Sequence, residues 1–178
     1  MADSQFPQNR KVWDVTDIEA GEYISSDDGQ MSQNQKVDTN SSGPIEFGTF
    51  VTTQGANTGN VGQASDGDSI YEGVAMINQQ SPEFDLRRQP INTIAEIAKR
   101  GFVTMKIIPG QPPLAFTGEL DFVYVSGQAA TAGYLTNVAT GDQKISVNTE
   151  GVRVLRVGKD VAEVYLSGKP LIVVTDVI

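Results

Sequence analysis

Cysteine and histidine are both missing from the 178 residues of this chain. Their absence removes thiol nucleophiles, Cys- or His-ligated zinc, Ser-His-Asp triads and structural disulfides, leaving carboxylates, lysines, tyrosines and hydroxyls for any chemistry. Cationic charge is scarce as well: 13 Lys and Arg stand against 22 Asp and Glu, for a formal net charge of −9. Nucleic-acid binding draws on Lys and Arg to release counterions, so no nucleic-acid partner is expected. No apolar run approaches the roughly 18 to 20 residues that span a bilayer, and Met1-Ala2-Asp3-Ser4 lacks the basic and apolar regions of a signal peptide. The expectation is a soluble protein, made in the cytoplasm, with no membrane partner. Phosphate-cradling glycine motifs are absent. The acidic clusters Asp27-Asp28-Gly29 and Asp66-Gly67-Asp68 lack the spaced ligands and terminal Glu of an EF-hand, and read as solvated turns. Neither metal nor cofactor is expected. No aromatic-rich cleft accompanies the carboxylates as it would in a glycosidase, so the chain is not read as an enzyme.

What is present divides in two. Residues 1–44 carry 3 basic and 8 acidic residues with only 12 apolar ones, too few for a core of their own. Most of their bulk lies between positions 12 and 24, in Val12, Trp13, Val15, Ile18, Tyr23 and Ile24, and Trp13 is the only tryptophan in the chain. A purely solvating tail has no use for these residues. The segment therefore either packs back on its own domain or forms an extended N-terminal arm along a partner or a neighbouring subunit.

From residue 45 to 178 the pattern is all-β. Runs rich in Val, Ile, Phe and Tyr at 45–53, 70–78, 102–108, 121–126, 152–157, 161–167 and 171–177 alternate with clusters of Gly, Pro, Asn and Asp. The clearest local signal is a hairpin: Val152-Arg153-Val154-Leu155-Arg156-Val157, then Gly158-Lys159-Asp160, then Val161-Ala162-Glu163-Val164-Tyr165-Leu166. Thr93-Ile94-Ala95-Glu96 is ambiguous. It fits a helix-capping box stopped by Gly101, and it also fits a period-2 strand leading through a Lys99-Arg100-Gly101 turn into Phe102-Val103-Thr104-Met105-Lys106. No internal repeat or heptad pattern is present. The basic pairs Arg87-Arg88 and Lys99-Arg100 are candidates for contact with acidic surfaces, or exposed strand-end charges that block edge pairing.

The order of features across the β-rich part resembles that of the structural cement, or capsid decoration, proteins of tailed bacteriophages. The strand Phe47-Gly48-Thr49-Phe50-Val51 is followed by Tyr71-Glu72-Gly73-Val74-Ala75, similar to the family's Gly-Val-Ala strand, and by Ile97-Ala98-Lys99-Arg100-Gly101-Phe102-Val103, like its basic-Gly turn. Phe122-Val123-Tyr124-Val125 and Lys144-Ile145-Ser146-Val147 then precede the terminal hairpin and a Val-rich strand. The resemblance implies a compact antiparallel β-barrel or sandwich, and strand over helix for residues 95–99. It implies a virion protein on the capsid surface, made in the host cytoplasm, with the major capsid protein and further copies of itself, as a trimer, for partners. The capsid- or subunit-contacting candidates are then Val12, Trp13, Val15, Ile18, Tyr23, Ile24, Arg87, Arg88, Lys99 and Arg100. Other readings are a tail, spike or baseplate component, or an intracellular β-barrel ligand-binding module or enzyme.

Overall fold

The fold is given by a computed structural model, which describes residues 19–24, 29–53, 59–64, 70–113, 122–137, 144–148, 150–169 and 171–172. Among these residues there is no α-helix. The strands are β1 (Met31–Val37), β2 (Ile45–Glu46), β3 (Phe50–Thr53), β4 (Asn60–Gln63), β5 (Ile70–Ala75), β6 (Arg88–Gln89), β7 (Ile94–Lys106), β8 (Phe122–Ser126), β9 (Leu135–Thr136), β10 (Lys144–Asn148), β11 (Val152–Val157), β12 (Val161–Ser167) and β13 (Leu171–Ile172). The all-β expectation holds, and its architecture is a closed barrel with extra strands.

Closure depends on β7, which pairs with both β1 and β5, so that the order β7-β1-β4-β3-β5 returns to β7. Four of these five pairings are antiparallel; β1 and β4 run parallel, with Lys36 opposite Asn60 and Val37 opposite Val61. Val37, Ile45, Val51, Val61, Ala75, Ala95 and Ile97 are buried together as the barrel filling. Residues of opposite parity on the same strands, Phe50, Val74 and Ala98, face a second and larger core, shared with Val123, Val125, Leu135, Val154 and Val164. That second core is covered by the sheet β10-β8-β9 and the hairpin β11-β12. The hairpin has the boundaries read from sequence, with Val152 opposite Leu166 and a bulge between Val154 and Arg156.

Two sequence expectations need correction. Lys99-Arg100-Gly101 is not a turn: β7 runs through it for 13 residues. The triplet is a bulge. Ala95 and Ile97 point into the barrel and Ala98 away from it, but beyond Gly101 the odd-numbered Val103 and Met105 point away, so the alternation has changed phase. The register with β1 shifts at the same place, Met31 facing Arg100 while Ser32 faces Ala98. Gly101 takes φ 121°, and a Cβ there would press on the Tyr23 ring and Gln30. The second correction concerns the domain boundary at residue 44. Met31–Val37 is a barrel strand, and upstream of it Tyr23 bridges Val103 while the Gly21 N–H donates to the Thr104 carbonyl at 2.8 Å. Polar residues hid β1: only Gln35 and Val37 of its seven are buried, so it lacks the apolar alternation by which strands are recognised.

Candidate interaction surface

Of the ten candidate contact residues, Val12, Trp13, Val15 and Ile18 lie outside the described residues. The other six are placed, and most are committed within their own fold. Tyr23 packs on the larger core and its hydroxyl donates to the Met31 carbonyl at 3.1 Å; burial, then the Glu96 charge, push its pKa up to about 12. Ile24 is half-buried and donates its N–H to the Phe102 carbonyl at 2.9 Å. Arg88 pairs with Glu83 at 2.5 Å and Lys99 with Glu72 at 2.7 Å. Arg100 is exposed, and its side chain lies against Gly29 and Gly168. The two basic pairs are therefore not one patch. Arg87 stands at a concave surface.

That surface is an open groove of about 390 Å³ beside one end of the barrel. Ala20, Phe47, Ile107, Pro109 and Val161 give it apolar walls, Tyr134 and Lys106 contribute a polar side, and Glu19, Arg87 and Asp160 stand around it. Each wall has a local cause. The stretch 45–53, read from sequence as one strand, breaks at Gly48, whose φ is 76° and where a Cβ would lie 2.4 Å from Ala20 Cβ. Glycine at this position lets residues 20 and 21 cross close over the break. The Gly48 N–H donates to the Ala75 carbonyl at 2.7 Å and the Lys106 N–H to the Gly48 carbonyl at 2.8 Å, which ties the crossing to the barrel. Arg87 sits in the left-handed region at φ 55°, at the end of the 3-10 turn Phe84–Leu86. It is held there by Glu19 at 2.7 Å and by the Phe84 ring, 4.8 Å from its guanidinium carbon; Phe84 in turn stacks obliquely on Phe47 at 6.3 Å. The neighbouring Leu86 is 60% exposed at the loop tip.

A three-residue polar cluster joins this groove. Lys106 Nζ donates to Glu46 Oε2 at 2.6 Å, Tyr134 OH donates to the same oxygen at 2.5 Å, and the two donors lie 3.4 Å apart. Burial raises the Glu46 carboxyl, but the two hydrogen bonds and the ammonium charge outweigh it and hold it below the ordinary range. Burial, followed by Glu46, pushes the Tyr134 phenol upward. The cluster is thus an ion pair with a neutral phenol that donates, an arrangement suited to holding β2, β7 and the start of β9 together. Sequence reasoning missed Glu46, Lys106 and Tyr134 because they are separated by as many as 88 positions. Elsewhere, β11 is a sheet edge among the described residues; its bulge and its outward Arg153 and Arg156 oppose strand addition. No group of three or more Asp and Glu suited to a metal ion occurs among the described residues.

No protein-family model matches the chain, and no curated protein matches it. Among solved structures, a chain from the capsid of Myoviridae Phage XM1 shares the fold, with a TM-score of 0.60 over 84% of this chain and 90% of that one. Sequence identity is 20%, so the likeness is one of fold.

Proposed function

We propose that this chain is a structural protein of a phage virion, one that binds the outside of the capsid and stabilises the shell by bridging neighbouring subunits of the major capsid protein. The observation that carries this reading is the shared fold with a chain of a phage capsid across nearly the whole length of both. The sequence resemblance to the cement proteins supports it from separate features. A barrel filled by its own side chains, with a second core sealed by the sheet β10-β8-β9 and the β11-β12 hairpin, suits a rigid body placed on a shell. Among the described residues the five barrel strands close on one another, which leaves the barrel itself without an unpaired edge to aggregate through. On this reading the chain assembles with copies of itself, as a trimer by family resemblance, and residues 12–18 are the part of the N-terminal segment left to reach a capsid subunit, since residues 19–24 and 29–37 are committed to the barrel.

Purified protein mixed with undecorated expanded shells should co-sediment saturably, and decorated shells should melt at a higher temperature than bare ones, because a ligand that binds only the assembled shell stabilises it by mass action. No saturable binding would end the reading. Binding with an unchanged shell melting temperature would keep the protein on the virion and remove the cement role.

A further inference from the structure

The groove between Ala20, Phe47 and Val161 has no occupant among the described residues, and the first two described residues of the chain line it. Glu19 and Ala20 are among its lining residues, so Ile18 is one peptide from its rim. Upstream of that point lie Val12, Trp13, Val15 and Ile18, interleaved with Asp14, Thr16 and Asp17. We propose that the groove is a docking site for residues 12–18 of the same chain, with the Trp13 indole as the group that fills it in the free protein.

Four features of the site fit this occupant. The volume of about 390 Å³ and the apolar walls suit one indole with an aliphatic neighbour. Trp13 stands six residues before Glu19, at most roughly 20 Å of extended chain, so it needs only to turn back on itself, and Asp14, Thr16 and Asp17 are residues that favour such a turn. Tethering raises the local concentration of the segment to the order of millimolar, so that weak contacts suffice. Charge agrees as well. Arg87 meets Glu19 through Nη2, leaving further guanidinium donors at the groove for Asp14 or Asp17, and Asp160 stands ready for Lys11. Docking of this kind concerns the free protein and goes beyond the capsid reading; its test involves no shells, so either can fail alone.

Because Trp13 is the only tryptophan, its fluorescence reports the site directly in the full-length protein. The expected result is an emission maximum shifted to the blue of a solvated indole and quenching by acrylamide several-fold weaker than for free tryptophan. Both should be independent of protein concentration. Two rim variants remove the protection: Arg87→Asp, at an exposed left-handed position that Asp tolerates, and Pro109→Glu, each placing a carboxylate against the acidic segment. In both, emission should move red and quenching rise several-fold while the cooperative melt of the barrel is kept. A fully quenchable Trp13 in the unaltered protein overturns the proposal. So does protection that survives both variants, which would place the indole elsewhere, or protection that appears only with concentration, which would make the occupant a second copy.

Discussion

Strand β7 carries two lysine-glutamate pairs seven residues apart, and their surroundings differ. Lys99 and Glu72 are 13% and 21% exposed, at the mouth of the barrel, where Thr53 also donates to Glu72 and the Gln35 side-chain oxygen is buried without a hydrogen-bond partner among the described residues. Lys106 and Glu46 are 24% and 36% exposed, beside the open groove, with Tyr134 as third member. The same two charges therefore do different work. The first pair lies where removing one partner strands the other away from water. The second borders a surface where either charge can turn to solvent. Both carboxyls are raised by burial and then held below their ordinary range by hydrogen bonds to lysine and to a hydroxyl, so the distinction is not visible in their acidity. It should be visible when each pair is broken.

Acid tests both pairs at once and should have the largest effect. A carboxyl whose folded pKa lies below its unfolded value of 4.5 contributes stability that is present above pH 4.5 and lost as pH falls through the folded value. Urea titrations should therefore give a stability that is flat near neutrality and declines steeply below about pH 4.5. An acid-insensitive midpoint would show that neither pair matters. Glu72→Gln comes next. It leaves Lys99 charged and largely enclosed, so it should cost about 3 kcal/mol, or roughly 10 °C of melting temperature. Glu46→Gln should cost only about 1 kcal/mol, because Lys106 can rotate toward the groove and Tyr134 keeps an acceptor in the amide oxygen. Equal losses in the two variants would erase the comparison.

The smallest effect belongs to Tyr23, which shares the bulge of β7 with Lys99. Its folded pKa of about 12 exceeds the ordinary 10.0, so its contribution is complete below pH 10 and is lost as pH rises toward 12. Ultraviolet titration should find Tyr23 ionising late with this profile, alongside Tyr134, which burial and Glu46 also hold above the ordinary range. Tyr23→Phe should remove that step and lower stability by about 0.5 to 1 kcal/mol, since one hydrogen bond to the Met31 carbonyl is lost and the ring keeps its packing. A loss of several kcal/mol would instead make the hydroxyl a principal tie between residue 23 and β1.

The hairpin of β11 and β12 was legible to the residue because its signal is local: two alternating β-branched runs and a three-residue turn lie side by side in the chain. The strand at 94–100 was only half legible, since its apolar residues fit both periods and only pairing with β1 and β5 makes it extended. Met31–Val37 and Asn60–Gln63 were not legible as strands. Most of β1 is polar and exposed, and β4, Asn60-Val61-Gly62-Gln63, has Val61 as its one apolar side chain, so neither announces itself by alternation. Among the candidate contacts, Arg88 and Lys99 were marked by charge alone, and the structure neutralises each with Glu83 and Glu72 from its own fold.

By itself the sequence determined the class of this protein: an all-β chain without thiol or imidazole, with turns where Gly, Pro, Asn and Asp cluster, because backbone propensity and the chemistry of single side chains act over a few residues. Tertiary structure alone decided that β1 closes the barrel, that Lys99-Arg100-Gly101 is a bulge that reverses the facing of β7, and that Glu46, Lys106 and Tyr134 meet beside a groove lined by Glu19 and Ala20. Those outcomes rest on pairing between residues from 24 to 88 positions apart. Which distant partner wins is set by the geometry of the closed sheet and the filling of its two cores, quantities that no local window of the chain contains.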